Sequence, residues 1–104
     1  MSKTIWKHRI VAAERQTIPG VTDLRARIVY VAEQDGHPHL WFEHDPEVAF
    51  LNHAVLNFAV VGTGHPAPAS GRYAGSFQAY HGAVVFHVYD LGTAPASPTD
   101  GNER

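Results

Sequence analysis

The sequence contains no cysteine. Disulfides, thiolate zinc centres and cysteine nucleophiles are thereby excluded, and a reducing compartment is compatible with the chain. No apolar run approaches the ~20 residues that a membrane-crossing helix needs. The first residues, Met-Ser-Lys-Thr-Ile-Trp-Lys-His, turn polar before a signal-peptide core can form. These absences point to a soluble, cytoplasmic protein with no membrane partner. Excess positive charge is missing too: the formal net charge is −2, so no basic footprint for nucleic acid is expected.

What remains is enough for one domain. A chain of 104 residues is one folding unit, and 44% hydrophobic with 17% charged residues is a globular balance. Histidine is the oddity. Protonating all eight takes the formal charge from −2 to +6, so surface charge reverses as pH falls through about 6.5. A polar surface that uses histidine is the simpler reading than a pH switch.

Alternation of apolar and polar residues predicts strands rather than helices. Residues 4–11 read as a first strand, and Gln16, Thr17 and Ile18 as a short edge strand before a Pro19-Gly20 turn. Residues 24–34 place Leu24, Ala26, Ile28, Tyr30 and Ala32 on one face. Asp35-Gly36 then predicts a tight hairpin into residues 39–44, because both loop positions favour positive φ. Asp45-Pro46 can start a brief helix running into Val48, Phe50 and Leu51. The almost continuous apolar run 55–61 reads as a strand covered on both faces. Residues 72–80 and 83–90 form a second hairpin across His81-Gly82. Trp6, Trp41, Tyr30, Tyr73 and Tyr80 are assigned to the core. The expected fold is mainly β: a small antiparallel sandwich or partly open barrel of five or six strands, with at most one short helix. Its domain covers residues 1–91, and 92–104, rich in Ala, Pro, Ser and Thr, form a disordered tail.

The most distinctive stretch is Gly62-Thr63-Gly64-His65-Pro66. Glycines let backbone amides approach a ligand and can shape an anion-binding nest, with Thr63 and His65 as adjacent donors and Arg72 as a nearby cation. The alternative is a tight connection stiffened by Pro66, since neither a P-loop nor a dinucleotide fingerprint is present. His37 and His39 can face one side of a strand, whereas His53, His65, His81 and His87 can meet only through folding. No spacing among them is diagnostic of a metal site. His87 reads as a packed histidine with one satisfied nitrogen. Glu43, His44, Asp45 and Glu47 cluster in sequence, but the acids suit a helix start. No catalytic constellation or cofactor motif is evident, which points away from an enzyme.

Taken in order, Thr4-Ile5-Trp6-Lys7, Gln16-Thr17-Ile18-Pro19-Gly20, Leu40-Trp41, Asp45-Pro46, Gly62-Thr63-Gly64-His65-Pro66, Gly75-Ser76-Phe77-Gln78 and Val85-Phe86-His87-Val88 carry a family resemblance. The chain resembles an uncharacterised family of small proteins encoded by bacteriophages and prophages, over residues 4–89. That resemblance implies an accessory protein made in an infected bacterial cell, and supplies no catalytic residue. The histidine-rich middle and the Ala/Pro tail depart from the family pattern. The first functional expectation is non-enzymatic binding of a host bacterial protein, such as one of antiviral defence. The second is capture of a small anionic ligand, such as a signalling nucleotide, by residues 62–71. A metal-dependent hydrolase and a virion component rank below these, and exposed sheet edges leave a homodimer open.

Overall fold

The computed structural model describes residues 3–11, 13–21, 23–47 and 54–95. Seven strands form among them: β1 Thr4–Arg9, β2 Arg15–Val21, β3 Arg27–Gln34, β4 His37–His44, β5 Ala54–Gly62, β6 Arg72–Ala79 and β7 Val84–Pro95. All pair antiparallel, in a three-stranded sheet ordered β1-β4-β3 and a four-stranded sheet ordered β2-β5-β7-β6. The inner faces meet in one core. Ile28, Leu40 and Phe42 from the first sheet pack with Leu56, Phe58, Phe77 and Val88 from the second. Each fully buried side chain of this kind contributes about 1.5–3 kcal/mol. The mainly β class is as expected; of the two arrangements left open the two-sheet one forms, with seven strands among the described residues rather than five or six.

Both hairpins form. At the first, Asp35 and Gly36 take φ of 55° and 80°, and Gln34 faces His37. At the second, Ala79 faces Val84 and the loop is residues 80–83. Tyr80, His81 and Gly82 there all have positive φ, so the left-handed stretch is longer than His81-Gly82 alone.

Four local expectations are corrected. Pro19 and Gly20 lie inside β2, where a bulge between Ile18 and Val21 absorbs the positive φ of Gly20 without ending the strand. β3 also carries a bulge, between Ile28 and Tyr30. One inserted residue flips the faces, so Ile28 and Val31 are buried while Tyr30 is 59% exposed. β7 runs on to Pro95, with Gly92, Thr93, Ala94 and Pro95 opposite Asn57, Leu56, Val55 and Ala54. Residues 92–95 therefore belong to the sheet, because backbone pairing needs no apolar side chains; 96–104 lie outside the described residues. Finally, aromatic residues assigned to the core stand largely at the surface: Trp6, Tyr30, Tyr73 and Tyr80 are exposed, and aliphatic side chains with three phenylalanines fill the interior.

No helix occurs among the described residues. Asp45 starts only a turn there, its carboxylate accepting the Glu47 amide at 2.9 Å. Val48, Phe50, Leu51 and His53 lie outside the described residues.

The two sheets are pinned at one edge. β3 leans on β6 closely enough that a Cβ on Gly75 would sit 2.9 Å from the Val31 Cβ. Beside it, the Ile28 amide donates to Asp90 at 2.8 Å, and Arg72 donates to the Ile28 carbonyl at 2.7 Å. An edge strand's free backbone groups are thereby satisfied by the opposite sheet.

Candidate functional site

At one open end of the sandwich lies a groove of about 1020 Å³. Its walls come from the ends of β1, β5 and β6 and the start of β7. Ile10, Val61, Phe77, Val84 and Phe86 line it, with Arg9, Glu14, Thr63, His65 and Tyr80 as the polar and aromatic members. Phe77 and Phe86 stack across β6 and β7 with ring centroids 5.5 Å apart. The volume is at the upper end of the range for small-molecule sites, and the lining is largely apolar.

The Gly62-Thr63-Gly64-His65 turn forms one wall. The His65 amide donates to the Gly62 carbonyl at 3.1 Å, and Gly64 supplies a φ of 95°. The absence of a side chain at Gly62 lets the His65 ring lie against it; a Cβ there would be 3.4 Å from the ring. The Thr63 amide donates to the Val85 carbonyl, tying the turn to β7. Two of the amides expected to face an anion are thus directed into the protein.

Thr63 also belongs to a chain of hydrogen bonds. Its hydroxyl donates to the Val85 carbonyl at 3.1 Å and lies 2.8 Å from His87 Nε2. On the ring's other side, Tyr73 Oη is 2.8 Å from Nδ1. With the Thr63 hydroxyl donating to Val85, the chain runs in one direction: Nε2–H donates to Thr63 and Tyr73 donates to Nδ1. Both nitrogens of His87 are therefore engaged, rather than one. In that arrangement the Thr63 proton points at a carbonyl and the imidazole is a donor toward it. A base-activated nucleophile needs the reverse.

Of the site residues expected from sequence, Gly62, Thr63 and His65 line the groove and Gly64 shapes their turn. Arg72 is not brought to them. It stands at the opposite end of β6, held 3.0 Å from Asp90 Oδ2. The groove's other wall, with Ala79, Tyr80 and Val84, and its Arg9 and Glu14 are not visible as site residues in the sequence. Tyr80, assigned to the core from sequence, is instead exposed at that surface.

A second polar cluster sits at the start of β3 and the end of β4. Asp23 is buried and accepts the amides of Arg25 at 2.8 Å and Asp45 at 3.0 Å. Burial pushes its carboxyl up, but those two amides, with the charges of Arg25 and His44, outweigh it and hold the carboxyl below its ordinary 3.8. His44 is 1% exposed, and neither ring nitrogen has a hydrogen-bond partner among the described residues. Trp6 and Phe42 enclose its ring at centroid distances of 4.1 and 5.2 Å. Burial lowers its pKa below 6.5, against the opposing pull of Asp23 and Asp45. This corner is sealed, and no group of three or more metal-ligating side chains converges among the described residues.

No curated protein and no solved structure matches the chain. A family model does match, over residues 1–98, and its description is a domain of unknown function, DUF7352. The chain belongs to that family.

Proposed function

We propose that the protein is a non-enzymatic binding protein whose working surface is the groove at the open end of the sandwich. The observation that carries this is the groove itself: about 1020 Å³, lined mainly by apolar side chains. An apolar groove with a few polar groups at its mouth suits an apolar side chain or segment of a partner protein. The phage setting that the resemblance implies makes that partner a component of the bacterial host, such as an antiviral-defence protein, met in the host cytoplasm.

Capture from host lysate tests this with two forms of the protein. Ala79→Arg places a long charged side chain in the groove on a half-buried strand end. The variant should fold, shown by an unchanged circular dichroism spectrum, and should lose the partner that the unaltered protein retains. Equal capture by both forms would overturn the groove assignment.

A second reading is supported by His65, which lines the groove together with Arg9. A small anionic ligand such as a nucleotide would then be held by these side chains rather than by the turn's amides. His65→Ala should abolish retention of such a ligand without affecting folding. Unchanged retention would remove His65 from the site.

A further inference from the structure

The outer face of the three-stranded sheet carries a pattern that the overall charge conceals. In register across β1, β4 and β3, three rows run Ile5-Glu43-Arg27, Lys7-Trp41-Tyr30 and Arg9-His39-Ala32. The bulge after Ile28 is what brings Tyr30 onto this face, opposite Trp41. Tyr30 is 59% exposed, and the Tyr30 and Trp41 rings lie 5.4 Å apart with His39 6.1 Å beyond Trp41.

Four of the chain's eight Lys and Arg residues, Lys3, Lys7, Arg9 and Arg27, stand on or beside these rows. Glu43 is the acid among them. It lies 3.4 Å from both Lys3 and Arg27. Lys7 and Arg9 form no ion pair among the described residues; their partners are Gln34 and His37, which are uncharged acceptors. The face therefore carries a formal +3 in a chain of −2, so the rest of the sequence carries −5. Such segregation focuses a positive potential on one side of the molecule.

From this juxtaposition we propose that the outer face of the β1-β4-β3 sheet binds single-stranded nucleic acid. The exposed ring of Tyr30, with the half-buried Trp41 ring beside it, stacks unpaired bases, and Lys7 and Arg9, flanked by Arg27 and Lys3, track the phosphates. Aromatic rings interleaved with cations on an open sheet are how sequence-tolerant single-strand binders work. A protein partner fits less well, because charged residues, lysine above all, are depleted from the core of protein interfaces and here they flank the aromatic pair on both sides. Glu33 and Asp35, at the exposed tip of the β3–β4 hairpin, bound the patch by repelling phosphate. The face is separate from the groove except at Arg9, which borders both.

Fluorescence anisotropy of the intact protein with labelled oligothymidylate and oligouridylate of about twelve nucleotides tests the proposal. Binding should be salt-dependent and tighter, by about five-fold or more, than to an abasic oligomer of equal charge. Tyr30→Ala should remove that preference for bases, and Lys7→Glu should weaken binding and flatten its salt dependence. Comparison of the DNA and RNA oligomers identifies which strand is preferred. No binding at low salt, or equal affinity for the abasic oligomer, would overturn the proposal; the abasic comparison needs no variant to fold.

Discussion

The guanidinium of Arg72 and the carboxylate of Asp90, 3.0 Å apart, together complete the hydrogen bonding of a residue on the other sheet. Asp90 Oδ2 accepts the Ile28 amide and Arg72 donates to the Ile28 carbonyl, while Asp90 Oδ1 accepts the Gly92 amide at 2.8 Å. Asp90 is buried and Arg72 half-exposed. Removing the carboxylate strands two amides and a cation; removing the guanidinium strands one carbonyl and leaves the buried carboxylate, still bonded to two amides, without its counter-charge. Asp90→Ala should therefore cost about 2–4 kcal/mol and Arg72→Ala about 1 kcal/mol in urea denaturation. Equal costs would mean that the pair matters only as a surface ion pair.

The close approach of the sheets at Gly75 is equally specific. An alanine Cβ there would meet Val31 Cβ at 2.9 Å and its Cγ2 at 3.1 Å. β-Branched Val31 has little rotamer freedom to move away. Gly75→Ala is expected to destabilise by about 1–3 kcal/mol, and trimming the neighbour in Gly75→Ala/Val31→Ala should recover part of it. A thermal shift that is additive for the two substitutions would contradict the contact.

Acid should act in two windows, one opening near the ordinary histidine value and one near the ordinary carboxyl value. His44 has a folded pKa below its ordinary 6.5, so the unfolded chain takes up a proton that the fold refuses. Stability is unaffected above about 6.5 and falls as pH drops from there through the lowered folded value. Asp23 works at lower pH: its stabilisation is present above the ordinary carboxyl value and is lost as pH falls through the folded one. His44→Phe keeps a ring in the Trp6–Phe42 cage and removes two unpaired nitrogens. It should add about 1 kcal/mol at neutral pH, shrink the first window and, by removing the His44 charge that helps hold Asp23 low, narrow the second to a lesser extent. His8, also lowered by burial and by His39, retains its share of the first. An unchanged pH profile would contradict the burial of a neutral His44.

The Tyr73–His87–Thr63 chain predicts a single imidazole tautomer. Nitrogen NMR should find His87 protonated at Nε2 with Nδ1 bare, and Thr63→Val should leave the ring mobile. Protonation at Nδ1 instead would reverse the chain and make Nε2 an acceptor for the Thr63 hydroxyl.

The strands were legible because alternation and the Asp35-Gly36 turn act locally. Bulges were not legible, since a residue such as Val29 looks like any other member of an alternating run. That single insertion moved Tyr30 from an expected interior position to the outer face. Similarly, the composition of residues 92–95 suggests a loose tail, but their order comes from pairing with β5, a partner distant in sequence. In the candidate site, Gly62, Thr63 and His65 could be named from one short motif. Arg9, Glu14 and Tyr80 could not, because only the sheet topology carries them to the same end of the molecule. Arg72 shows the opposite error: proximity in sequence to the loop says nothing about which end of β6 it occupies.

Hydrogen–deuterium exchange on the complex captured from host lysate tests the binding reading most directly. Slowed exchange is predicted at residues 60–66 and 79–86, the two walls of the groove, with little change at Tyr30 and Trp41. Protection confined to the outer sheet face, with the groove walls exchanging as in the free protein, would contradict it.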